Sequence, residues 1–247
     1  MDRLLYTAMN GAQQSFVRQR VNANNLANAS TAGFRQDLAN FASRDVVGPG
    51  LESRTHSLAL VEGMDVSHGP VNATGRTLDV AVNGDGWLVV QAPNGEEAFT
   101  RAGDLRVNSA GVLTTAAGHP VIGEGGPIAL PQFEELNFAK DGTLSIRPVG
   151  EPATNILAVD RLKLVNPDPS TLVKGGDGLV RLRDGGAGVA DAAVQVTPGA
   201  REGSNVNTVD ALVDMIELSR SYEMNINMMK VARENDASDN RLLQLPQ

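Results

Sequence analysis

Glycine and proline are segregated along the chain. Of 26 Gly, 24 lie between Gly48 and Gly203, and of 12 Pro, 11 lie between Pro49 and Pro198. Both ends are therefore open to long helices, and the middle is punctuated by turns. The C-terminal run is the most constrained. No Gly or Pro interrupts it from Asn207 to Arg241. At about 1.5 Å per residue such a helix spans roughly 50 Å. Asn207 is placed to cap its start, with Asp210 near the positive end of the dipole.

On that helix Ala211, Met215, Leu218, Tyr222, Ile226 and Met229 recur at spacings of three and four, the pattern of a seam that meets another helix. Val209, Leu212, Val213 and Ile216 form a second apolar face, about 140° away at ~100° per residue. It turns polar at Arg220, Glu223 and Asn227. One partner helix does not reach both faces, so the second is expected to meet a neighbouring subunit or the base of the central domain.

The N-terminal segment carries its own seam at Leu5, Ala8, Ala12, Phe16, Gln19, Ala23 and Leu26. Its small residues allow close approach. The segment to Val47 holds five Arg and three Asp, net +2, and the segment from Ser204 holds four basic and seven acidic residues, net −3. The expected fold is α+β. An antiparallel β domain lies in the middle, and the terminal helices pair as an antiparallel coiled coil. The boundaries read 1–35 for the first helical segment, 36–77 for an extended connector containing Gly48-Pro49-Gly50, 78–200 for the β domain and 201–247 for the last helix. Alternation and turn residues predict about ten strands, from Leu78–Val82 and Trp87–Val90 to Leu179–Leu182 and Val194–Val196. Trp87 reads as a core residue of that domain.

Composition excludes several functions. The formal net charge is −8, which leaves no basic stripe for nucleic acid. There are no cysteines, hence no disulfides or thiolate chemistry. No run approaches the ~18 apolar residues of a membrane span, and Asn10, Gln13, Gln14 and Arg18 break any signal-peptide core. Catalysis lacks candidates. The three histidines, His56, His68 and His119, form no metal or triad spacing. Asp79, Asn83 and Asp85 before Gly86 do not fit a calcium-loop spacing and read as a turn. No catalytic, cofactor-binding or metal residue is therefore assigned, and no cofactor is expected.

Asn22-Ala23-Asn24-Asn25-Leu26-Ala27-Asn28 is unusual, because asparagine competes with helical backbone bonds. Asn22, Asn25 and Asn28 are expected to make specific contacts in an assembled state. Gly33 suits a positive-φ position after the helix.

The stretch from Asn22 to Arg35 resembles the N-terminal signature of bacterial flagellar rod and hook proteins, A-N-N-L-A-N-x-x-T-x-G-F-K/R. The centre is similar to the same family at Leu78–Val82, Gly84–Trp87, Phe99–Leu105 and Gly111–Thr115. The tail is similar at Gly203–Asn207 and from Met215 to Asn225. The start, from Met1 to Met9, resembles proximal-rod members. Distal-rod members usually carry a Trp near the start and Thr-Gly-Leu where this chain has Asn10-Gly11-Ala12. One departure is Arg201-Glu202-Gly203, where a Leu-Glu pair is more usual, which puts contacts there in question.

The resemblance implies a structural subunit of the proximal rod, the helical periplasmic drive shaft between motor and hook. Its partners would be other rod proteins and the flagellar type III export apparatus, reached without a cleaved signal peptide and without membrane insertion. Subunit and helix contacts would fall on Leu5, Ala8, Ala12, Phe16, Asn22, Asn25, Leu26 and Asn28, and on Val209, Leu212, Ile216, Leu218, Tyr222 and Ile226. Phe34 and Leu38 match an F-x-x-x-apolar export motif, although anchoring the helix exit explains them equally. The alternatives are a distal-rod or hook-type axial subunit, and a secreted β-domain binding or wall-degrading protein.

Overall fold

The two uninterrupted ends are helical in a computed structural model that describes residues 2–45, 55–152 and 154–243. Helix α1 spans Asp2–Ala27 and α2 spans Thr208–Leu243. At α2 the cap forms as its sequence predicts. Asn207 Oδ1 accepts the Val209 N–H at 3.0 Å, and its Nδ2 donates to Asp210 at 2.7 Å.

The chain divides into two units. The first comprises Met1–Asn28, Asp37–Asp65 and Val206–Gln247, and the second Ala29–Gln36 and Val66–Asn205. In the first unit α1 and α2 pack antiparallel. Asn22, near the end of α1, bonds the Ala211 carbonyl in the first turn of α2, and Ser15 meets Ser221 at 3.2 Å. Gly11 sits against Asn225, with no room for a side chain between them.

The seam of α2 runs as expected through buried Ala211, half-buried Met215, Leu218, Ile226 and Met229, and on to buried Ala232; Tyr222 lies on its margin at 37% exposure. On α1 the seam departs from the apolar pattern after Ala12. It continues through Ser15 and Asn22, both buried, while Phe16 is 58% exposed and Ala23 is exposed. Spacing explains this: Ala8, Ala12, Ser15, Gln19 and Asn22 keep the alternation of four and three that holds a stripe on one side. A Phe ring would also wedge apart helices that approach across Gly11, Ala12 and Ser15.

The segment read as an extended connector, 36–77, is extended but not a plain connector. Strand β1 (Asp37–Asp45) pairs antiparallel with β2 (Thr55–Met64), with a register shift between Asn40 and Phe41. This ladder belongs to the same unit as the helices. The Gly48-Pro49-Gly50 stretch of that connector lies outside the described residues.

The second unit is built from antiparallel ladders. Its largest sheet has five strands, in the order Leu164–Val165, Trp87–Gln91, Glu97–Thr100, Val180–Leu182 and Leu172–Lys174. A three-stranded meander follows Phe133–Phe138, Thr143–Pro148 and Leu157–Arg161. Shorter pairs join Val80–Asn83 to Gln195–Pro198 and Val71–Ala73 to Ala200–Glu202. The core gathers Val80, Leu88, Leu105, Leu113, Leu144 and Val196, all fully buried. The unit therefore reaches beyond the 78–200 expected from alternation, because Val71–Ala73 and Ala200–Glu202 are strands too short and polar to alternate visibly. Phe133–Phe138 escaped the same reading, since only Leu136 and Phe138 are buried and Phe133 packs against the core in part.

Leu113 lies at 0% exposure in that core and Val189 at 87%. Leu113→Ala is expected to destabilise the second unit by about 2–5 kcal/mol, and Val189→Ala by less than about 0.5 kcal/mol. Urea unfolding followed through Trp87, the sole tryptophan, checks this; similar midpoints for the two variants would contradict the core assignment.

Candidate functional site: a buried ion cluster and an asparagine-gripped hairpin

In the second unit, residues 29–36 of the asparagine-rich signature close onto the β ladders. Gly33, at φ +65°, donates its N–H to the Glu202 carbonyl at 2.9 Å, and a β-carbon there would overlap the Arg101 backbone. Only glycine meets both demands. Arg35 then enters the interior. Its Nη2 lies 2.8 Å from Glu202 Oε1, and Arg101 Nη1 lies 3.0 Å from Glu202 Oε2. All three side chains are about 1–2% exposed. Trp87 is the common wall, with Arg35 5.7 Å and Arg101 5.3 Å from its ring centroid, distances typical of cation–π contact.

Two guanidinium groups share one carboxylate, so the cluster carries a net positive charge. Carbonyls absorb it. Arg35 donates to Ser67 O, and Arg101 donates to Val82 O and Gly84 O. Burial draws the Arg101 pKa below its usual value, Glu202 raises it again, and the neighbouring Arg35 charge adds to the lowering. Arginine stays charged through such shifts. Glu202 also accepts the Gly69 N–H at 3.0 Å. Trp87, expected as a core residue, is buried and in addition meets both cations. The contact put in question by Arg201-Glu202-Gly203 is made in full by Glu202, while Arg201 is exposed.

Around the cluster, Asn205 Oδ1 accepts the Gln36 N–H at 2.7 Å, and Lys174 donates to the Arg35 carbonyl while lying 4.0 Å from the Phe34 ring centroid. His68 sits half-exposed at the rim, 3.0 Å from Asp85. Asp79 is held by Thr74 and Arg76, and Asn83 accepts from Thr197. Among the described residues no three carboxylate or histidine side chains are grouped to hold a metal.

In the first unit the asparagines serve another purpose. Asn25, 2% exposed, donates to the Asp37 carbonyl at 2.9 Å and accepts the Asp37 N–H at 2.8 Å. Asn10 does the same to Ser57, at 3.2 Å each way. Each side-chain amide thus supplies the rung that a neighbouring strand would supply. Arg18 stacks 5.6 Å from the Phe41 ring between them, so β1 runs antiparallel to α1. Asn22 donates to Ala211 O at 2.6 Å. Two amides expected to await an assembled state, those of Asn22 and Asn25, are therefore already used within the subunit. Asn28 differs: its Nδ2 bonds the Asn24 carbonyl one turn back, at 3.0 Å.

The remaining sequence-predicted residues fall in two groups. Leu5, Ala8, Ala12, Leu26, Leu218 and Ile226 are buried or half-buried. Val209, Leu212, Val213 and Ile216 are 48–65% exposed, and Phe16 and Leu38 are exposed as well. Periodicity missed one feature. Leu4, Met224, Met228 and Val231 line a groove of about 460 Å³ rimmed by Arg220, Glu223 and Asn227. These methionines sit beside the polar positions where the second face was expected to end.

Three family descriptions match successive parts of the chain. Residues 5–35 match the flagella basal body rod protein family, 81–146 the flagellar hook protein FlgE/F/G D1 domain, and 197–242 the C-terminal region of flagellar basal body rod FlgEFG proteins. The flagellar basal-body rod protein FlgF of Salmonella typhimurium is 43% identical over 99% of this chain and 100% of its own length. The chain belongs to the flagellar basal-body rod protein family. FlgF of Escherichia coli matches equally, at 43% over the same shares, and FlgG of Buchnera aphidicola from Schizaphis graminum is 30% identical over 98% of each chain. This rod protein is thus most like FlgF, and it is a structural subunit rather than an enzyme. Each matched segment contributes to the ion cluster: Gly33 and Arg35 from the first, Trp87 and Arg101 from the second, and Glu202 from the third.

Asn25→Ala removes both bonds to Asp37 and strands that peptide, at a cost of about 1–3 kcal/mol. Asn24→Ala, at an exposed position of the same turn, is expected to cost less than about 0.5 kcal/mol. Hydrogen exchange at the Asp37 amide is the direct readout; equal protection in the two variants would remove the case for a grip on β1.

Proposed function

We infer that this chain is a structural subunit of the proximal rod of the flagellar basal body, a helical periplasmic shaft that carries torque from the motor toward the hook. The observation that carries the reading is its match to FlgF, 43% identical over 99% of this chain and 100% of that protein's length. A shaft subunit must bind neighbours on several sides. The first unit has what that requires: paired helices that satisfy one seam each and leave other apolar faces uncovered.

The pair is read as an antiparallel coiled coil. The uncovered face of Val209, Leu212, Val213 and Ile216 is read as the contact to an adjacent rod subunit, with Phe16 on the outer side of α1 available to another. A head-to-tail contact of this kind, using different surfaces on the two partners, propagates into an open helix wherever its rotation does not close a ring. The chain is taken to leave the cell through the flagellar type III apparatus without a cleaved signal peptide. No described helix is long and apolar enough to cross a membrane. Phe34 and Leu38 remain candidates for an export motif, although Phe34 already serves as a stacking surface for Lys174.

Deleting the gene in its host is expected to abolish flagella beyond the inner basal body; normal swimming would refute the reading. Within the chain the two helix faces separate. Burying a Leu is worth about 1.5–3 kcal/mol, or roughly 10- to 100-fold in affinity at ~1.4 kcal/mol per decade. Leu212→Ser is therefore expected to lower the yield of rods while secretion of the subunit continues. Leu218→Ser is expected to loosen the α1–α2 pair itself, seen as lost helical circular dichroism on mild heating. If L212S assembles like the natural chain, its face is not an interface.

A further inference from the structure

The chain passes between its two units four times, after Asn28, Gln36, Asp65 and Asn205. Every one of these crossings enters or leaves the β unit beside Glu202. The first delivers Gly33, whose N–H binds the Glu202 carbonyl at 2.9 Å. The second departs after Arg35, paired to the Glu202 carboxylate at 2.8 Å, and Gln36, bonded to Asn205 at 2.7 Å. The third delivers Ser67, which accepts from Arg35, and Gly69, whose N–H binds Glu202 Oε1 at 3.0 Å. The fourth leaves through Glu202, Gly203 and Asn205. There the Gly203 N–H binds Pro70 O at 2.8 Å and the Asn205 N–H binds Phe34 O at 3.3 Å. Arg101, 3.0 Å from the same carboxylate, fixes the group to the Glu97–Thr100 strand end and to Trp87.

We propose that Glu202 fastens the four crossings into one mechanical anchor, so that load passing between the units is shared among them. The backbone pairing at the crossings is thin: single bonds and a three-residue ladder between Val71–Ala73 and Ala200–Glu202. Each would peel separately under tension. The Glu202 side chain changes this, because it touches the second and third crossings and Arg101 while its own backbone forms the fourth. Releasing the second, the third or the fourth separates a buried ion pair or strips it of a donor, and the first is tied to the second through the short run from Gly33 to Arg35. An uncompensated buried charge is costly, so the four are expected to release together. The close approach at Gly69, where a β-carbon would overlap the Gly203 carbonyl, fits the same tight bundling. The coupling is a property of the folded chain and stands apart from the rod assignment; only its use in bearing torque rests on that assignment.

Residue-resolved hydrogen exchange on the full-length purified chain tests the coupling. In E202Q the amides of Gly33, Gln36, Gly69, Gly203 and Asn205 are expected to exchange at least tenfold faster as a set. The amides of Val89, Leu113 and Val121, bonded within the β body, are expected to keep their rates. The exposed neighbour variant R201A is expected to change none. Acceleration confined to Gly69, whose amide bonds the Glu202 side chain directly, would overturn the proposal, as would uniform acceleration across the unit or no change. Should E202Q fail to fold, E202D keeps the charge, shortens its reach by one methylene and is read by the same criteria. Failure of this test leaves the gene-deletion result untouched, so the two readings fail separately.

Discussion

One carboxylate between two buried guanidinium groups determines much of the second unit. Removing an ion from water costs several kcal/mol even after relaxation, and a buried pair recovers this only where geometry and further hydrogen bonds are good. Here the excess cation has to be accommodated by something other than a second acid. The chain does so with the carbonyls of Ser67, Val82 and Gly84 and with the face of Trp87. That requirement reaches outward. Carbonyls converge on a point only if the backbone turns tightly there, which accounts for the positive φ of Gly84 and the close passage of Gly33 over Arg101. A cluster of this kind is an expensive way to gain stability. It is better understood as a way to make distant segments mutually dependent, since no segment is satisfied alone.

The first unit solves a different problem. A two-stranded ladder is marginal in water, and β1–β2 has little sheet to lean on. Helix α1 braces both strands: Asn25 bonds Asp37 of β1, and Asn10, fifteen residues earlier, bonds Ser57 of β2. At ~1.5 Å per residue these lie roughly 22 Å apart along the helix. Six residues of strand, from Asp37 to Ser43 opposite Ser57, cover about 20 Å at ~3.3 Å each. The two lengths are close, so the helix meets the ladder at both of these positions, on either side of the register shift between Asn40 and Phe41. Each amide also occupies a backbone position that would otherwise be open to a strand from another chain.

The architecture was largely legible because it rests on patterns with a definite period. Helix ends, the Asn207 cap, the α2 seam and most strands between Val80 and Val196 follow from spacing and turn residues. What stayed hidden depends on contacts between residues far apart in sequence. Nothing local distinguishes Glu202 from a solvated acid, or Arg35 from the basic end of a motif; their pairing appears only once 29–36 and 200–205 are brought together. The asparagine run was visible as an anomaly, but its partners, Asp37 and Ala211, were not. Phe16 misled for a physical reason. Hydrophobicity alone favours burying it, yet the closeness of the helix pair favours Ser15, and packing distance decided the matter.

The same closeness explains why the seam of α1 is polar. A seam of alanines is nearly uniform, and two such helices can slide by three or four residues with little change in buried area. Asn22 removes that freedom. It is buried and its amide reaches the Ala211 carbonyl in the first turn of α2. A slip of one turn would carry the amide past that acceptor and leave a buried donor unmatched, at about 1–3 kcal/mol. Ser15 opposite Ser221 and Gly11 under Asn225 mark the same register further along. If the exposed face of Leu212 and Ile216 is the proposed contact to a neighbour, meeting it at fixed height requires α1 and α2 to hold one axial offset. Burying Asn22 and Ser15 while leaving Phe16 outside sacrifices some hydrophobic stabilisation and secures that offset.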